Sequence, residues 1–340
     1  MKAFLLAAAL IAALFVLNGL FAGSLIPGVS ISPYLLQILS LAGINIILAV
    51  SLNLINGFTG QFSIGHAGFM AIGAYGAAYV TATFGERIRS ALPALPEVAL
   101  DSLILLLALA VGALLAAFAG FLVGVPSLRL RGDYLAIVTL GFGEIIRVFI
   151  LNIDAVGGAR GFSGIPKLAS FFWIYLFAAA TIAVVYRIVH SSFGRTLIAI
   201  REDEIAAEAM GVNTTRSKVI SFVVSSAMAG VAGGLFGHYL MYLHTNSFTF
   251  IKSFEIIIMI VIGGLGSITG SVLGAVLFIG LTEGLREFAQ YRMLVFSLLL
   301  IVLMIVRPQG ILGHREFGGL FQRFRRRRLD TPAPPPVVQA

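Results

Sequence analysis

Apolar runs long enough to cross a bilayer recur along most of this sequence, and polar residues, glycines or prolines close each run. Hydrocarbon offers no partner for a free backbone N–H or C=O group, so a lipid-exposed spanning segment must be a helix. Ten runs can be separated, at residues 3–22, 33–55, 63–83, 100–124, 133–151, 170–189, 219–242, 253–265, 269–285 and 293–306. The sequence therefore predicts an all-α, polytopic membrane helix bundle with about ten transmembrane segments.

The balance of residue types agrees with lipid as the main solvent. Charged residues make up 11% of the 340 residues and hydrophobic residues 59%, whereas soluble domains carry about 25% charged residues. Because no polar stretch is long enough for a separate aqueous domain, we expect residues 1–315 to form one transmembrane domain. Residues 316–340 form a basic, proline-rich tail that we expect to be disordered.

A net charge of +8 would suit a nucleic-acid-binding protein, but the positive charges are concentrated in the tail. The cluster comprises Arg323, Arg325, Arg326, Arg327 and Arg328 and follows the last apolar run. Basic clusters in this position bind anionic lipid headgroups and mark the cytoplasmic side of a membrane. We therefore expect contact with membrane lipid and none with nucleic acid.

The first run raises the question of a cleaved leader. It follows Lys2 and ends near Ala22-Gly23-Ser24, where small residues would permit cleavage. However, the apolar region of a signal peptide has about 7–15 residues, and this run approaches the roughly 20 residues that span a bilayer. Its length favours a retained first helix, with cleavage as the alternative.

The positions of lysine and arginine orient the spans. With the N-terminus inside, the basic residues of 190–218 and those of the tail lie on the cytoplasmic side. A single helix over 253–285 would place one of these two groups outside. Splitting that helix at the uncharged stretch 263–267 keeps both groups inside, so we predict ten spans with both termini cytoplasmic.

The cytoplasmic stretch 190–218 contains a pattern typical of a short helix. Three acidic residues open it, where free N–H groups and the helix dipole favour negative charge, and a glycine closes it. We predict a helix of about eight residues, and two interpretations are open: a solvated linker, or a coupling helix that docks onto a cytoplasmic partner. The candidate coupling residues are Arg201, Glu202, Asp203, Glu204, Ala207 and Gly211.

A second group of candidates concerns the translocation path. A glycine-containing stretch without charged residues interrupts the apolar sequence between the second and third runs. Polar side chains flank this break. An ionisable residue inside a spanning helix is a functional candidate; Glu144 is such a residue, although Arg147 follows it by one turn and a local ion pair is the alternative. The candidate path residues are Asn53, Gly57, Gly60, Ser63, Gly65 and Glu144.

Four stretches resemble the signatures of branched-chain amino-acid ABC transporter permeases. They are 51–69, which contains Gly57-Phe58-Thr59-Gly60-Gln61, then 194–212, 263–275 and 307–313. The stretches occur in the order expected for the family, and the resemblance covers most of 33–315. It is closest to the M-type permease subunit of such importers.

This resemblance implies a type II ABC importer-like permease in the bacterial inner membrane. It implies three kinds of partner: a second permease subunit, two cytoplasmic ABC ATPase subunits that bind ATP and Mg and contact 201–211, and an extracytoplasmic substrate-binding protein. The chain itself is expected to bind no cofactor and no metal and to catalyse no reaction. Consistent with this, it has no Walker A loop, no nucleophile triad and no histidines at metal-ligand spacing.

Leucine, isoleucine and valine are the substrates that the resemblance implies, carried by alternating access. Relatives that import urea, amides, aromatic acids or other small amino acids supply one alternative. An ion-coupled secondary carrier that acts alone is an alternative of a different class. Proton-coupled carriers keep ionisable residues at mid-membrane, where Glu144 and His66 are the candidates in this chain.

Overall fold

A computed structural model describes residues 32–93, 96–128, 134–307, 309–311 and 313. The predicted first helix at 3–22 and the basic tail at 316–340 lie outside the described residues. The described part of the chain is helical apart from its connections and one short antiparallel ladder, which pairs Phe162 with Leu243. The prediction of an all-α bundle is therefore confirmed for this part.

The helices and strands are numbered here in chain order. The helices are α1 (Pro33–Asn53), α2 (His66–Ala91), α3 (Glu97–Ser127), α4 (Tyr134–Leu151), α5 (Phe171–Val189), α6 (Ser192–Glu202), α7 (Glu204–Ala209), α8 (Thr214–Leu240), α9 (Phe250–Gly263), α10 (Ile268–Gly284) and α11 (Arg292–Val306). One π-helical turn, Leu54–Phe58, prolongs α1, and the strands are β1 (Phe162–Ser163) and β2 (Tyr242–Leu243).

Each predicted run within the described residues corresponds to a helix. Six helices are long and apolar enough to cross a membrane: α1 with its π turn, α2, α3, α4, α5 and α8. The predicted split of 253–285 is confirmed, because α9 ends at Gly263 and α10 begins at Ile268. One boundary was predicted too late: α8 begins at Thr214 because the Asn213 side chain caps it, accepting from the Arg216 amide at 2.9 Å.

One end of the bundle gathers four connections, and we call it the Arg201 end. The Arg201 guanidinium reaches from α6 to the carbonyl of Gly57, at 3.1 Å, in the break after α1. The segment after α11 meets the end of α9, where the amide of Ile311 donates to the carbonyl of Ile262 at 2.9 Å. These contacts bring together the connections that charge placement had assigned to one side.

The opposite end gathers the alternate connections. Here β1, after α4, pairs with β2, after α8. The guanidinium of Arg286, after α10, lies 4.9 Å from the centre of the Tyr34 ring at the start of α1. Successive long helices therefore run in opposite directions. That the Arg201 end faces the cytoplasm stays a prediction.

Three helices, α2, α3 and α8, cross one another in close contact. Gly73, Gly112 and Gly230 lie at the crossing and allow the backbones to touch, since a Cβ placed on Gly73 would lie 2.2 Å from Gly230 Cα. Close backbone approach through small residues is the usual source of helix association in lipid. A stripe of alanines on α2 is buried as well, with Ala67, Ala71, Ala74 and Ala78 each at most 1% exposed.

Candidate functional site

The candidate coupling segment is built from two helices that meet at Asp203. The backbone of Asp203 is extended, with φ −157° and ψ 108°, so α6 ends and α7 begins in a new direction. Its carboxylate accepts from the amides of Ile205 and Ala206, at 2.9 and 3.0 Å. These two bonds satisfy amides that the first turn of α7 leaves without a helical partner.

The end of α7 is set by glycine, as predicted. Gly211 has φ +85°, a conformation that favours glycine. The amide of Gly211 donates to the carbonyl of Glu208 at 2.9 Å, and the amide of Val212 donates to that of Ala207 at 3.1 Å. These bonds close the last carbonyls of the helix in the manner of a glycine C-cap.

The extent of this helix differs from the prediction. It has 6 residues rather than about eight, and Glu202 ends α6 instead of opening α7. The carboxylate of Glu202 pairs with the Arg201 side chain next to it, at 2.6 Å. An acidic run cannot show which of its members is the cap, because the choice depends on where the chain turns. Asp203 has the short side chain that reaches its own following amides.

Two polar contacts hold α7 against the start of α8. The Glu204 carboxylate pairs with the Lys218 ammonium at 2.5 Å, and Lys218 is only 1% exposed. The Thr214 hydroxyl donates to the Glu208 carboxylate at 2.7 Å. Ala207 is buried on the same side, at 6% exposure. The segment is therefore anchored to the bundle along one face.

Arg201 joins this segment to the break after α1. Besides its bond to the Gly57 carbonyl, its side chain lies against Gly60. Gly60 has φ +71°, and a Cβ there would lie 2.7 Å from the Cγ of Arg201. Coupling and path candidates that are far apart in sequence thus meet at the Arg201 end.

Asn53 ties the same break to the turn between α9 and α10. Its carboxamide oxygen accepts from the amide of Gly266 at 2.9 Å. Its nitrogen donates to the carbonyl of Ser267 at 2.9 Å and to the hydroxyl of Ser271 at 2.7 Å. Asn53 is 1% exposed. Its amide therefore acts as a bridge between two breaks; its predicted place on the path stays a prediction.

Replacing Asn53 with leucine should lower the stability of the protein by about 2 kcal/mol. The change preserves size but leaves the partly buried amide of Gly266 without its partner, which costs about 1–3 kcal/mol, while the Ser267 carbonyl keeps its bonds from Ser271. A thermal denaturation series in detergent measures the effect. Asn152→Leu is the control, because the Asn152 carboxamide is exposed and bonds only to the Val148 carbonyl of its own helix. Equal stability of the two variants would contradict the bridging role.

The other predicted path residues of the break pack against α4 and within the break itself. Ser63 exchanges hydrogen bonds with the Asn56 carboxamide, at 3.2 and 3.4 Å. Gly65 precedes α2, and a Cβ placed there would lie 2.3 Å from the Thr139 carbonyl oxygen. The Thr139 hydroxyl also accepts from the amide of Ile64, at 3.1 Å. The break is thus a packed structure that joins α1, α2 and α4.

Glu144 lies apart from the break, in the middle of α4. It pairs with Arg147 at 2.7 Å, and its other oxygen accepts from the amide of Phe250 at 3.3 Å. The local ion pair that the sequence left as an alternative is therefore present. Its side chains remain 32% and 26% exposed.

Three residues of this region were missed by sequence reasoning. Lys218 was counted only as a positive loop charge, yet it is buried inside the first turns of α8. Ile205 and Met210 were not among the candidate coupling residues, yet they are 69% and 84% exposed. An available signal was the presence of two large apolar residues in a short, otherwise polar segment outside the predicted spans.

A bundle of apolar helices, six of them in the described residues long enough to span a bilayer, is the architecture of a multi-pass membrane protein. The family model for the permease component of branched-chain amino acid transport systems matches residues 34–307. The chain belongs to this family of ABC transporter permeases, and it is a multi-pass protein of the bacterial inner membrane.

Individual relatives agree with this assignment. The chain is 37% identical to the high-affinity branched-chain amino acid transport system permease protein LivM of Escherichia coli over 311 residues, 81% of this chain and 69% of the relative. It is 26% identical to a probable LivM of Methanocaldococcus jannaschii over 80% of this chain and 91% of the relative. The permease LivH of Salmonella typhimurium is 35% identical over 47% of this chain and 53% of the relative. No solved structure matches the chain significantly.

Proposed function

We propose that this chain is one permease subunit of an ABC importer that moves leucine, isoleucine and valine across the inner membrane by alternating access. The relatives with the longest matches bear names of branched-chain amino acid permeases. A second, related permease subunit completes the channel. The similarity of this chain to both LivM and LivH supports such a pair of subunits. Residues 1–315 form the transmembrane domain, and 316–340 are a separate basic tail.

The partners follow from the same proposal. Of two ABC ATPase subunits, one binds α7 at the Arg201 end and the other binds the second permease subunit, and an extracytoplasmic binding protein delivers the amino acid at the opposite end. ATP and Mg bind to the ATPase subunits, and this chain needs no cofactor of its own. The chain is a transport subunit and not an enzyme.

The observation that carries the proposal is the way α7 is held. Its inner face is fixed to α8 through Glu204 and Ala207, while Ile205 and Met210 point outward at 69% and 84% exposure. A six-residue helix is too short to be stable alone. Because it is anchored in this way, α7 is a rigid protrusion with an exposed apolar end, and this end can fit into an apolar groove of a partner.

A chain of contacts supplies the mechanical link. Movement of α7 is transmitted to Arg201 through Asp203, and from Arg201 to the break after α1 through the hydrogen bond to Gly57. From this break, Asn53 transmits it to the α9–α10 turn. Two helix breaks would therefore move with the ATPase-binding surface. Discrete rearrangement of packed elements is how such switches act.

The experiment is the variant Ile205→Glu in the reconstituted importer. The side chain is exposed, so the fold should be unaffected, but a charge at the tip would have to be desolvated in the partner's groove. We expect ATPase co-purification and ATP-driven leucine uptake to fall at least tenfold. Uptake by the unmodified permease without any ATPase would instead establish the ion-coupled carrier.

Val98→Glu is the matched control. Val98 is 79% exposed at the start of α3, at the opposite end of the bundle from α7. This variant adds the same charge at an equally exposed apolar site, so ATPase association should be retained. If Ile205→Glu also kept normal association and uptake, α7 would not be the docking element.

A further inference from the structure

Glu144 and Arg147 are charged residues within the spanning helix α4, where exposure of a charge to lipid is unfavourable. At about 1.5 Å per residue, Glu144 is roughly 15 Å from the start of α4 and 10 Å from its end. The two side chains are nevertheless 32% and 26% exposed. Charged groups inside a membrane span face protein or water and not lipid. We therefore expect Glu144 to face protein or water in the assembled importer, with Arg147 about 6 Å from the end of α4.

A short helix begins beside this pair. The amide of Phe250, the first residue of α9, donates to Glu144. Three residues later, the Ser253 hydroxyl accepts from the amide of Ala67 at 3.1 Å, at the first turn of α2. With 14 residues, α9 is about 21 Å long, shorter than the hydrocarbon core of about 30 Å. Its N-terminus lies next to the Glu144–Arg147 pair, and Phe250 itself is 48% exposed.

An apolar cleft begins at Phe250, the residue whose amide binds Glu144. It has a volume of about 440 Å³ and lies between α9, α11 and Phe62 of the break. Phe250 belongs to both features, since its amide binds Glu144 and its side chain lines the cleft with Phe254. Glu255 lines the cleft as well and pairs with Lys252 at 3.0 Å. Phe250 thus connects the ion pair of α4 to the apolar cleft.

Building on the function proposed above, we propose that Glu144 and Arg147 form a subsite on the wall of the translocation path that binds the two charged ends of a zwitterionic α-amino acid. The Arg147 guanidinium receives the α-carboxylate, which matches its planar donor geometry. The Glu144 carboxylate receives the α-ammonium group. The apolar side chain of the ligand enters the cleft beside Phe250 and Phe254.

The ligand can replace the internal ion pair without changing the net charge of the site. Without ligand, each charged group is held by the other at 2.7 Å, and Glu144 also accepts from the Phe250 amide. A zwitterion offers one positive and one negative group separated by a single carbon. It can therefore replace the internal pair with two external ones while the net charge of the site stays zero. A cation or an anion would leave one partner without its counter-charge, and an uncharged amide would leave both without one.

The first experiment uses the absence of cysteine from the chain. Single cysteines are placed at Glu144 and at Ile145, its 61% exposed neighbour on another face of α4. The assembled importer, in membranes, is treated from both sides with a charged methanethiosulfonate reagent. We expect Glu144→Cys to react at least tenfold faster than Ile145→Cys, because the reagent and the thiolate both require water.

Leu140→Cys covers the case in which loss of the ion pair disturbs folding. It lies one turn before Glu144 on the same helical stripe, and it leaves the pair intact. It should react as Glu144→Cys does, and leucine should slow the reaction. If Leu140→Cys and Glu144→Cys react no faster than Ile145→Cys, the second permease covers this face and the proposed subsite is wrong.

The second experiment separates ligand binding from a structural ion pair. If the two charges only neutralise each other, the double variant Glu144→Met with Arg147→Met removes both at once and should transport normally. If they bind the zwitterion, that variant should lose at least tenfold in leucine uptake while the complex still assembles and hydrolyses ATP. Normal uptake by the double variant would overturn this inference and leave the proposed importer function intact. Absence of leucine uptake by the unmodified importer would overturn the function itself.

Discussion

Replacing Gly73 with alanine should prevent the permease from accumulating in the membrane as a folded protein. A Cβ at this position would lie 2.2 Å from both the Cα and the carbonyl oxygen of Gly230 in α8. Both are backbone atoms, so no side chain can rotate to make room, and the two helices would have to separate. The carbonyl oxygen of Gly73 also lies 2.7 Å from a Cβ placed on Gly112 in α3.

The expected cost is large because three helices meet at this point. Overpacking in a core costs about 1–3 kcal/mol when side chains can adjust, and we expect at least about 3 kcal/mol where they cannot. The level of monodisperse protein extracted from membranes measures it. Gly85→Ala is the control, because it makes the same change in the same helix where a Cβ would meet no atom within 4 Å. Similar yields of the two variants would mean that the crossing is loose.

The helices themselves could be predicted from the sequence because the bilayer imposes them. A long apolar run has no alternative to the helix in hydrocarbon, so most runs and described helices coincide within a few residues. The end of α2 was predicted too early, because the helix continues to Ala91 through the charged residues after the apolar run. The same holds for local capping: Gly211 closes α7 as predicted, through interactions that span only a few residues. The sequence did not show which of the neighbouring acidic residues, Glu202 or Asp203, caps the helix.

The contacts that join these helices could not be predicted in the same way. Asn53 and Gly266 meet across 213 residues of sequence, and Lys218 pairs with Glu204 from the neighbouring helix. Such pairs depend on which helix faces meet, and periodicity gives no information on this for segments that are apolar all round. The start of α9 beside Glu144 is likewise a property of the assembled bundle. Glu144 was identified as a candidate only because charge inside a span is expensive.

Replacing Glu204 with alanine should detach α7 from the bundle and uncouple ATP hydrolysis from transport. Lys218 is 1% exposed and its ammonium group lies 2.5 Å from the Glu204 carboxylate. Removing one partner of a buried ion pair costs about 3–5 kcal/mol, because the remaining charge stays desolvated and unpaired. Since Glu204 is 25% exposed, we expect the lower part of that range. Amide hydrogen exchange in 204–212 should accelerate roughly hundredfold, as about 1.4 kcal/mol corresponds to a factor of ten.

The double variant Glu204→Ala with Lys218→Met tests this explanation directly. Removing both charges leaves no unpaired ammonium, and replacing a buried pair by apolar groups is often neutral or stabilising. Hydrogen exchange in α7 should therefore return most of the way to the rate of the unmodified protein, while Lys218→Met alone should have a smaller effect than Glu204→Ala. Because the Asp203 cap and the Thr214–Glu208 bond are unchanged in the double variant, ATP-driven uptake should recover with it. A double variant as mobile as Glu204→Ala would mean that the Glu204 carboxylate acts through some contact other than Lys218.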